Sequence, residues 1–370
     1  MINLKKLAAN ILIITVSSVI ALLFIEIFYK SFFADNFHNN RFLFITKPSL
    51  LDQKKSFGYN KNTYVRELAV YGNGKDFHIE YDTSFVTNNI GLVQKKGFDH
   101  KKQSIVIIGD SFTQGQGATP WFYQLEDDWK NNKYQLINLG IIGTGIVQWK
   151  DTLQWFSSIG KIKQIIICCI SNDWIRPRWY LCENQKQNVL AFDILAENKL
   201  HKNNKRPIIY FIDKDSDHHT ILERAKHIAD SSDAGINDFF KNFFSASFTY
   251  RTLLKYNLLF PDKNETSNDE VTLSKNMTSF DQIISAYGAN NITVLHLPQK
   301  KEVIQGAYSE LGTKIKTFIR SRHIPYIDGL ALCKLNEKDF YRDDGHPNAS
   351  GYKKIYDCFS KNALANLRLE

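Results

Sequence analysis

The chain has 370 residues, of which 43% are hydrophobic and 23% charged, and a formal net charge of +9. That length holds one large domain with appendages and an ample core, and the composition excludes a disordered or low-complexity protein. The 47 basic side chains form no dense block and no zinc-finger or RNA-binding signature accompanies them, so a nucleic-acid partner is excluded and the charge favours anionic surroundings only weakly.

Leu7 to Ile25 is an uncharged, mostly apolar run preceded by Lys5 and Lys6. It is about as long as the roughly 20 residues of helix that span a bilayer, and the flanking lysines favour a cytoplasmic amino end. No small-residue cleavage site appears where Phe28-Tyr29-Lys30-Ser31 follows, so residues 1–30 are expected to be an uncleaved membrane anchor rather than a signal peptide, with the remainder extracytoplasmic. Residues 31–100 scatter Phe42, Phe44, Tyr59, Tyr64 and Tyr71 among polar side chains, with strand-like stretches at His78–Tyr81 and Ser84–Thr87. They are expected to pack as a lead-in on a main domain of residues 101–370.

Ile105 to Ile108 are four branched apolar residues in succession, the pattern of a strand buried on both faces, and the run ends at Gly109-Asp110-Ser111. The glycine lets the chain bend and present Ser111 at the carboxyl end of a central strand, the edge where open α/β sheets bind ligands. Helical pattern over Trp121–Trp129, strand over Tyr134–Leu139, helix over Val147–Phe156 and strand over Gln164–Ile170 follow in order. Further on come a strand at Ile292–Leu297, a helix at Glu310–Ser321 and a strand at Pro325–Asp328. Such alternation predicts a parallel sheet covered by helices.

Between about 181 and 289 the pattern loosens into Lys-, Asn- and Asp-rich connections with amphipathic stretches at Ile221–Ile228 and Phe239–Leu259. This is too long for a plain connection and predicts a helical insertion with structure of its own. Asp213 to Asp217 imitates the start of a calcium loop, but His218 and Arg224 stand where the loop needs Gly and Glu, so a solvated loop is expected. Adjacent Cys168 and Cys169 read as small core residues, while Cys182, Cys333 and Cys358 leave room for one disulfide in an oxidising compartment. No spacing matches a zinc site, and no metal or other cofactor is expected.

Near the carboxyl end stands Asp343-Asp344-Gly345-His346-Pro347-Asn348. A serine hydroxyl is a poor nucleophile until a base takes its proton; neutral His346 suits that task near pH 7, and Asp343, three residues earlier, is placed to orient the imidazole. Two more strand ends supply donors for a developing oxyanion: the glycine-rich Asn138-Leu139-Gly140-Ile141-Ile142-Gly143, and Ile170-Ser171-Asn172-Asp173 with its side-chain amide. With these motifs in place the chain resembles the SGNH, or GDSL-like, hydrolase superfamily. Gly109-Asp110-Ser111-Phe112 is similar to its nucleophile block, Gly143 falls at its oxyanion glycine, Asn172 at its third-block asparagine, and Asp343 and His346 at its closing Asp-x-x-His. In one departure, Ile170 stands where the family usually has a glycine two positions before the asparagine.

The resemblance implies a three-layer α/β/α sandwich with a parallel central sheet, and metal-free acyl transfer through an acyl-serine. It further implies Ser111, Asp343 and His346 as catalytic residues and an oxyanion hole made by Ser111, Gly143 and Asn172. Asp110, Trp174 and Arg176, beside the site, are candidate substrate contacts, with packing against the insertion as the alternative for the aromatic and arginine stretch after Asn172. The expected protein is a membrane-anchored, extracytoplasmic esterase acting on O-acyl groups of a cell-envelope glycan or lipid. An O-acyltransferase to a sugar hydroxyl, or a non-catalytic assembly component, are the alternatives.

Overall fold

The structure is a computed structural model that describes residues 4–32, 40–46, 50–53, 56–72, 76–181, 190–193, 209–232, 263–365 and 367. The stretch Phe239–Leu259 and Cys182, both singled out in the sequence, lie outside the described residues. The chain divides into two compact units, a smaller one (1–41, 71–78, 218–265) and a larger one (42–70, 79–217, 266–370).

The smaller unit contains helices α1 (Leu4–Phe32) and α5 (His218–Ser232). The described side chains of α1 include exposed Ile13, Ile14, Ile20, Leu23, Phe24 and Phe28, where a water-soluble helix would keep an apolar stripe covered. Among the described residues, no helix is long and apolar enough to cross a membrane, so the structure does not show the expected anchor. In α5, Ile221, Ala225 and Ala229 follow one another at four-residue spacing and form a buried stripe.

The larger unit is built on a five-stranded parallel sheet of β6 (Gln103–Gly109), β7 (Tyr134–Asn138), β8 (Lys161–Cys169), β12 (Ile292–His296) and β13 (Tyr326–Asp328), in the order β13-β12-β8-β6-β7. The central strands are apolar at successive positions because both of their faces are covered. On β6, Val106 and Ile108 point into one core with Ile165 and Ile167 of β8, while Ile105 and Ile107 point into the other with Ile166 and Cys168. The first core is closed by α4 (Ile146–Ser157), α6 (Lys263–Tyr287) and α8 (Glu310–Ser321), through residues such as Trp149, Phe280 and Ile315. The second is closed by α3 (Phe122–Asp128) and α10 (Ala349–Phe359), through Phe122, Leu125, Ile355 and Phe359. The result is the predicted three-layer α/β/α sandwich. Short helices α2 (Ser111–Gln114), α7 (Lys300–Gln305) and α9 (Gly329–Leu332) follow strand ends.

Helix α6 corrects the expected extent of the insertion. Leu273, Phe280 and Ile283 are buried in the first core, so the stretch from 266 to 287 covers the sheet instead of standing outside it. Its sequence, Thr266-Ser267-Asn268-Asp269-Glu270, opens with polar residues that hide the apolar face further along. The lead-in is a sheet in its own right: β1 (Asn40–Thr46), β4 (Tyr64–Gly72), β5 (Phe77–Val86) and β11 (Ile209–Ile212) pair in the order β11-β1-β4-β5. Strand β11, from within the expected insertion, runs parallel to β1 with Leu43 opposite Ile209. Two hairpins, β2 (Leu50–Gln53) with β3 (Ser56–Tyr59), and β9 (Arg178–Leu181) with β10 (Leu190–Asp193), complete the strands. The Asp213–Asp217 stretch is a turn whose Lys214 and Ser216 carbonyls accept hydrogen bonds from Arg66. Cys333 and Cys358 form a disulfide, and Cys168 and Cys169 are buried free thiols in the two cores.

Candidate active site

Ser111 sits where β6 ends. A Cβ at Gly109 would stand 2.0 Å from Thr113 Oγ1 and 2.2 Å from the Cys168 carbonyl oxygen, so only glycine lets the strand turn directly into α2. Asp110 caps that helix, its Oδ1 accepting the Phe112 N–H at 2.9 Å. The turn is braced from two sides: Trp121 Nε1 donates to the Phe112 carbonyl at 2.9 Å, and the Tyr352 hydroxyl to that of Gln116 at 2.9 Å.

His346 comes from the loop before α10. A bridge between Phe340 and Pro347 closes that loop, and Lys300 Nζ holds the Tyr341 and Arg342 carbonyls at 2.7 and 2.8 Å. The loop brings His346 Nε2 to 2.8 Å from Ser111 Oγ. On the far side of the ring, Nδ1 is hydrogen-bonded to Asp344 Oδ1. The same Asp344 oxygen accepts the His346 backbone N–H at 3.0 Å, and the carboxylate is almost completely buried.

This corrects the expected orienter, which is Asp344 and not Asp343. Asp343 pairs with Arg342 at 2.8 Å, and its own backbone N–H donates to Glu80 at 3.0 Å. The loop turns so tightly that a carboxylate two residues before the histidine reaches both its amide and its ring, while the one three residues before pairs with Arg342 instead. The loop's tightness, set by the Phe340–Pro347 bridge, was not visible in the spacing.

The two strand-end loops flank the serine turn, because β7 and β8 are the neighbours of β6. Leu139 N–H and Ile141 N–H donate to the Ile107 and Gly109 carbonyls at 2.7 and 3.2 Å, carrying the β7 loop along the end of β6. Gly143 adopts φ +71°, a conformation that favours glycine. Gln114, which the sequence did not single out, ties this loop to the nucleophile helix: its Oε1 accepts the Ile142 N–H at 3.0 Å and the Tyr59 hydroxyl at 2.8 Å. Asn172 lies exposed in the 3₁₀ turn after β8, Ser171–Ile175. That turn is anchored one residue earlier: buried Ser171 Oγ donates to Glu302 at 2.7 Å and lies 3.1 Å from His296 Nε2, whose Nδ1 is 2.9 Å from the Tyr326 hydroxyl. Burial pushes the His296 pKa down to about 4, so the ring is neutral.

Two of the three candidate substrate contacts are ruled out by burial. Trp174 is completely buried against Phe280 and Phe318, taking the packing alternative on α6 and α8. Asp110 is likewise fully buried beneath the serine. Arg176, partly exposed, turns inward: its Nη1 lies 2.9 Å from Asp110 Oδ2, 3.0 Å from Asp173 Oδ1 and 3.1 Å from the Thr144 carbonyl. Burial, then the charge of Asp110, push the Asp173 carboxyl well above the usual range.

No protein-family model and no curated protein matches the chain. Among solved structures it is similar to a member of the lipolytic G-D-S-L family from Veillonella parvula, at 12% identity and a TM-score of 0.35, over 72% of this chain and 100% of that one. It is also similar to a lipase/acylhydrolase from Enterococcus faecalis, at 11% identity and 0.35, over 72% and 98%. A third is the acetylxylan esterase Axe2 from Geobacillus stearothermophilus, at 12% and 0.33, over 70% and 93%. Likenesses this distant say nothing of the reaction. Ser111, His346 and Asp344 meet at the carboxyl edge of the layered parallel sheet.

Proposed function

We propose that this chain is an SGNH-type serine esterase that works through an acyl-serine. The observation that carries the reading is the row of hydrogen bonds from Ser111 Oγ to His346 Nε2 at 2.8 Å and from His346 Nδ1 to Asp344. Such a row has a direction: the buried carboxylate fixes the tautomer with hydrogen on Nδ1, leaving the Nε2 lone pair for the serine proton. As Ser111 Oγ bonds to the ester carbonyl carbon, its proton passes to Nε2, and the imidazolium is stabilised by Asp344. The proton then goes to the departing alkoxide as the ester C–O bond breaks. Water repeats the sequence on the acyl-serine and returns the free acid and the serine. The carbonyl oxygen takes up negative charge twice, and the backbone N–H groups of Ser111 and Gly143 with the Asn172 amide are the proposed donors. Ser111 is the first residue of its helix, so its N–H has no acceptor within the helix.

The acyl group and its carrier extend this reading. We place the substrate among O-acyl esters of a cell-envelope glycan or lipid, with α1 as the membrane tether. The uncharged run Leu7–Ile25, the exposed apolar side chains of α1 and the Cys333–Cys358 disulfide, a bond typical of oxidising compartments, support that location. The test is reaction of the purified chain with a fluorophosphonate probe and with p-nitrophenyl acetate. Ser111 is expected to carry the label, and Ser111→Ala is expected to lose both labelling and turnover. Undiminished turnover in that variant would sink the proposal.

A further inference from the structure

We propose that Arg176 is a positioning residue that keeps Asp110 from competing with His346 for the Ser111 proton; the inference rests on Ser111 being the nucleophile and His346 its base. Ser111 Oγ carries one hydrogen and faces two acceptors, His346 Nε2 at 2.8 Å and Asp110 Oδ2 at 3.1 Å. Only the first direction leads to an attacking oxygen. The second leaves the hydroxyl hydrogen on a carboxylate that is too weak a base to accept it fully.

Asp110 cannot swing away, because its other oxygen caps α2 through the Phe112 N–H at 2.9 Å and the side chain is fully buried. A bare carboxylate held there would do two kinds of harm. It would draw the serine hydrogen toward itself, and its charge would oppose the negative oxygen that forms on the substrate, with little water to screen it. Arg176 Nη1 lies 2.9 Å from the same Oδ2 that faces the serine. The guanidinium therefore neutralises the competing oxygen itself, and not merely the neighbourhood. The same nitrogen lies 3.0 Å from Asp173 Oδ1, and the Thr144 carbonyl at 3.1 Å fixes it from the β7 side.

The bookkeeping of charge in this buried cluster is consistent. With Asp173 inclined to hold a proton, one cation faces one anion beneath the nucleophile. Asp173 in turn is held through its Oδ2, which accepts the Ile170 N–H at 2.9 Å, so the residue that leads from β8 into the turn that carries Asn172 is tied to the same cluster. Arg176 itself is reached from outside the core, yet it is aimed at the underside of the site and away from where a substrate would lie.

The experiment is a double-variant cycle on the full chain, reading the second-order rate of fluorophosphonate labelling at Ser111, kcat and KM for p-nitrophenyl acetate, and thermal unfolding. Arg176→Met is expected to slow labelling and lower kcat by roughly 10- to 100-fold with KM changed less than about threefold, as for loss of a preorganised electrostatic partner. With Asp110→Asn already in place, adding Arg176→Met is expected to change the rates less than about threefold, because the negative charge that Arg176 neutralises is gone. A role confined to stability predicts the opposite: the second change would cost as much in either background. Folded Arg176→Met protein that labels at the wild-type rate overturns the inference and leaves the esterase reading standing. A drop of tenfold or more on adding Arg176→Met to Asp110→Asn also overturns it, and this comparison serves even where Arg176→Met alone does not fold. Wild-type protein that fails to label at all overturns both.

Discussion

Asp343 and Asp344 are adjacent carboxylates with different partners, one paired with Arg342 and one buried against the imidazole. Removing the charge of each separates their roles. Asp344→Asn is expected to lower kcat by about 100- to 10,000-fold, since the amide would favour the wrong tautomer of His346, while Asp343→Asn stays within a few-fold of wild type. Steady-state kinetics on the two variants decide the matter, and the reverse ranking would restore the spacing rule that pointed to Asp343. The same pair marks where sequence reading stops. Ser111 and His346 were legible because a buried strand ending in glycine and a histidine in a turn-rich stretch leave few alternatives. Which carboxylate faces the ring depends on one loop's closure by Phe340 and Pro347, an isolated bridge with no repeating pattern behind it.

Among the elements, the strands of the parallel sheet were legible to within three residues at each end. Ile105–Ile108 and Ile165–Cys168 are apolar at every position, and only burial on both faces requires that. The lead-in sheet was not legible as a sheet. Its β1–β11 pairing joins residues 43 and 209, and no local pattern reports so distant a partner. Helix α6 was concealed for a different reason: its polar opening resembles the loops before it, and its core face begins only near Leu273. Phe280 lies fully buried on that face, so Phe280→Ala is expected to destabilise the protein by about 3 to 5 kcal/mol, read by urea unfolding.

The turn that carries Asn172 depends on a titrating anchor. His296 is neutral and buried, with its pKa lowered from the ordinary 6.5 to about 4 by desolvation. Ser171 gives its own hydrogen to Glu302, so its oxygen accepts from His296 Nε2–H and Tyr326 donates to Nδ1, an arrangement that an added proton would break. Because the unfolded chain binds the proton more readily, the stability contributed is complete above pH 6.5 and is lost as the pH falls toward 4, by about 3 kcal/mol in all. Urea unfolding at pH 7 and pH 5 is expected to show the loss, and His296→Gln to shrink it. An equal pH dependence in both proteins would remove His296 from that role.

For the whole molecule, the disulfide and the amino-terminal helix bear on where it works. Cys333 and Cys358, 25 positions apart, close a loop that contains Asp344 and His346. The paired Cys333→Ser, Cys358→Ser variant is expected to lose about 2 to 5 kcal/mol of stability, and its residual activity to fall first on warming. Deleting residues 1–30 is expected to release the protein from membranes that otherwise keep it through an alkaline carbonate wash. Release of the full-length chain by that wash would reject the tether.

Ser111 and His346 stand 235 positions apart along the chain, joined only at the end of β6. A fragment that ends before His346, or an intermediate in which its loop has not yet docked on β6, therefore lacks the Ser111–His346 hydrogen bond. During refolding, helical signal and compactness are expected to return before the first molecule becomes reactive toward an organophosphorus probe, which makes covalent capture a stopwatch for the last step of assembly.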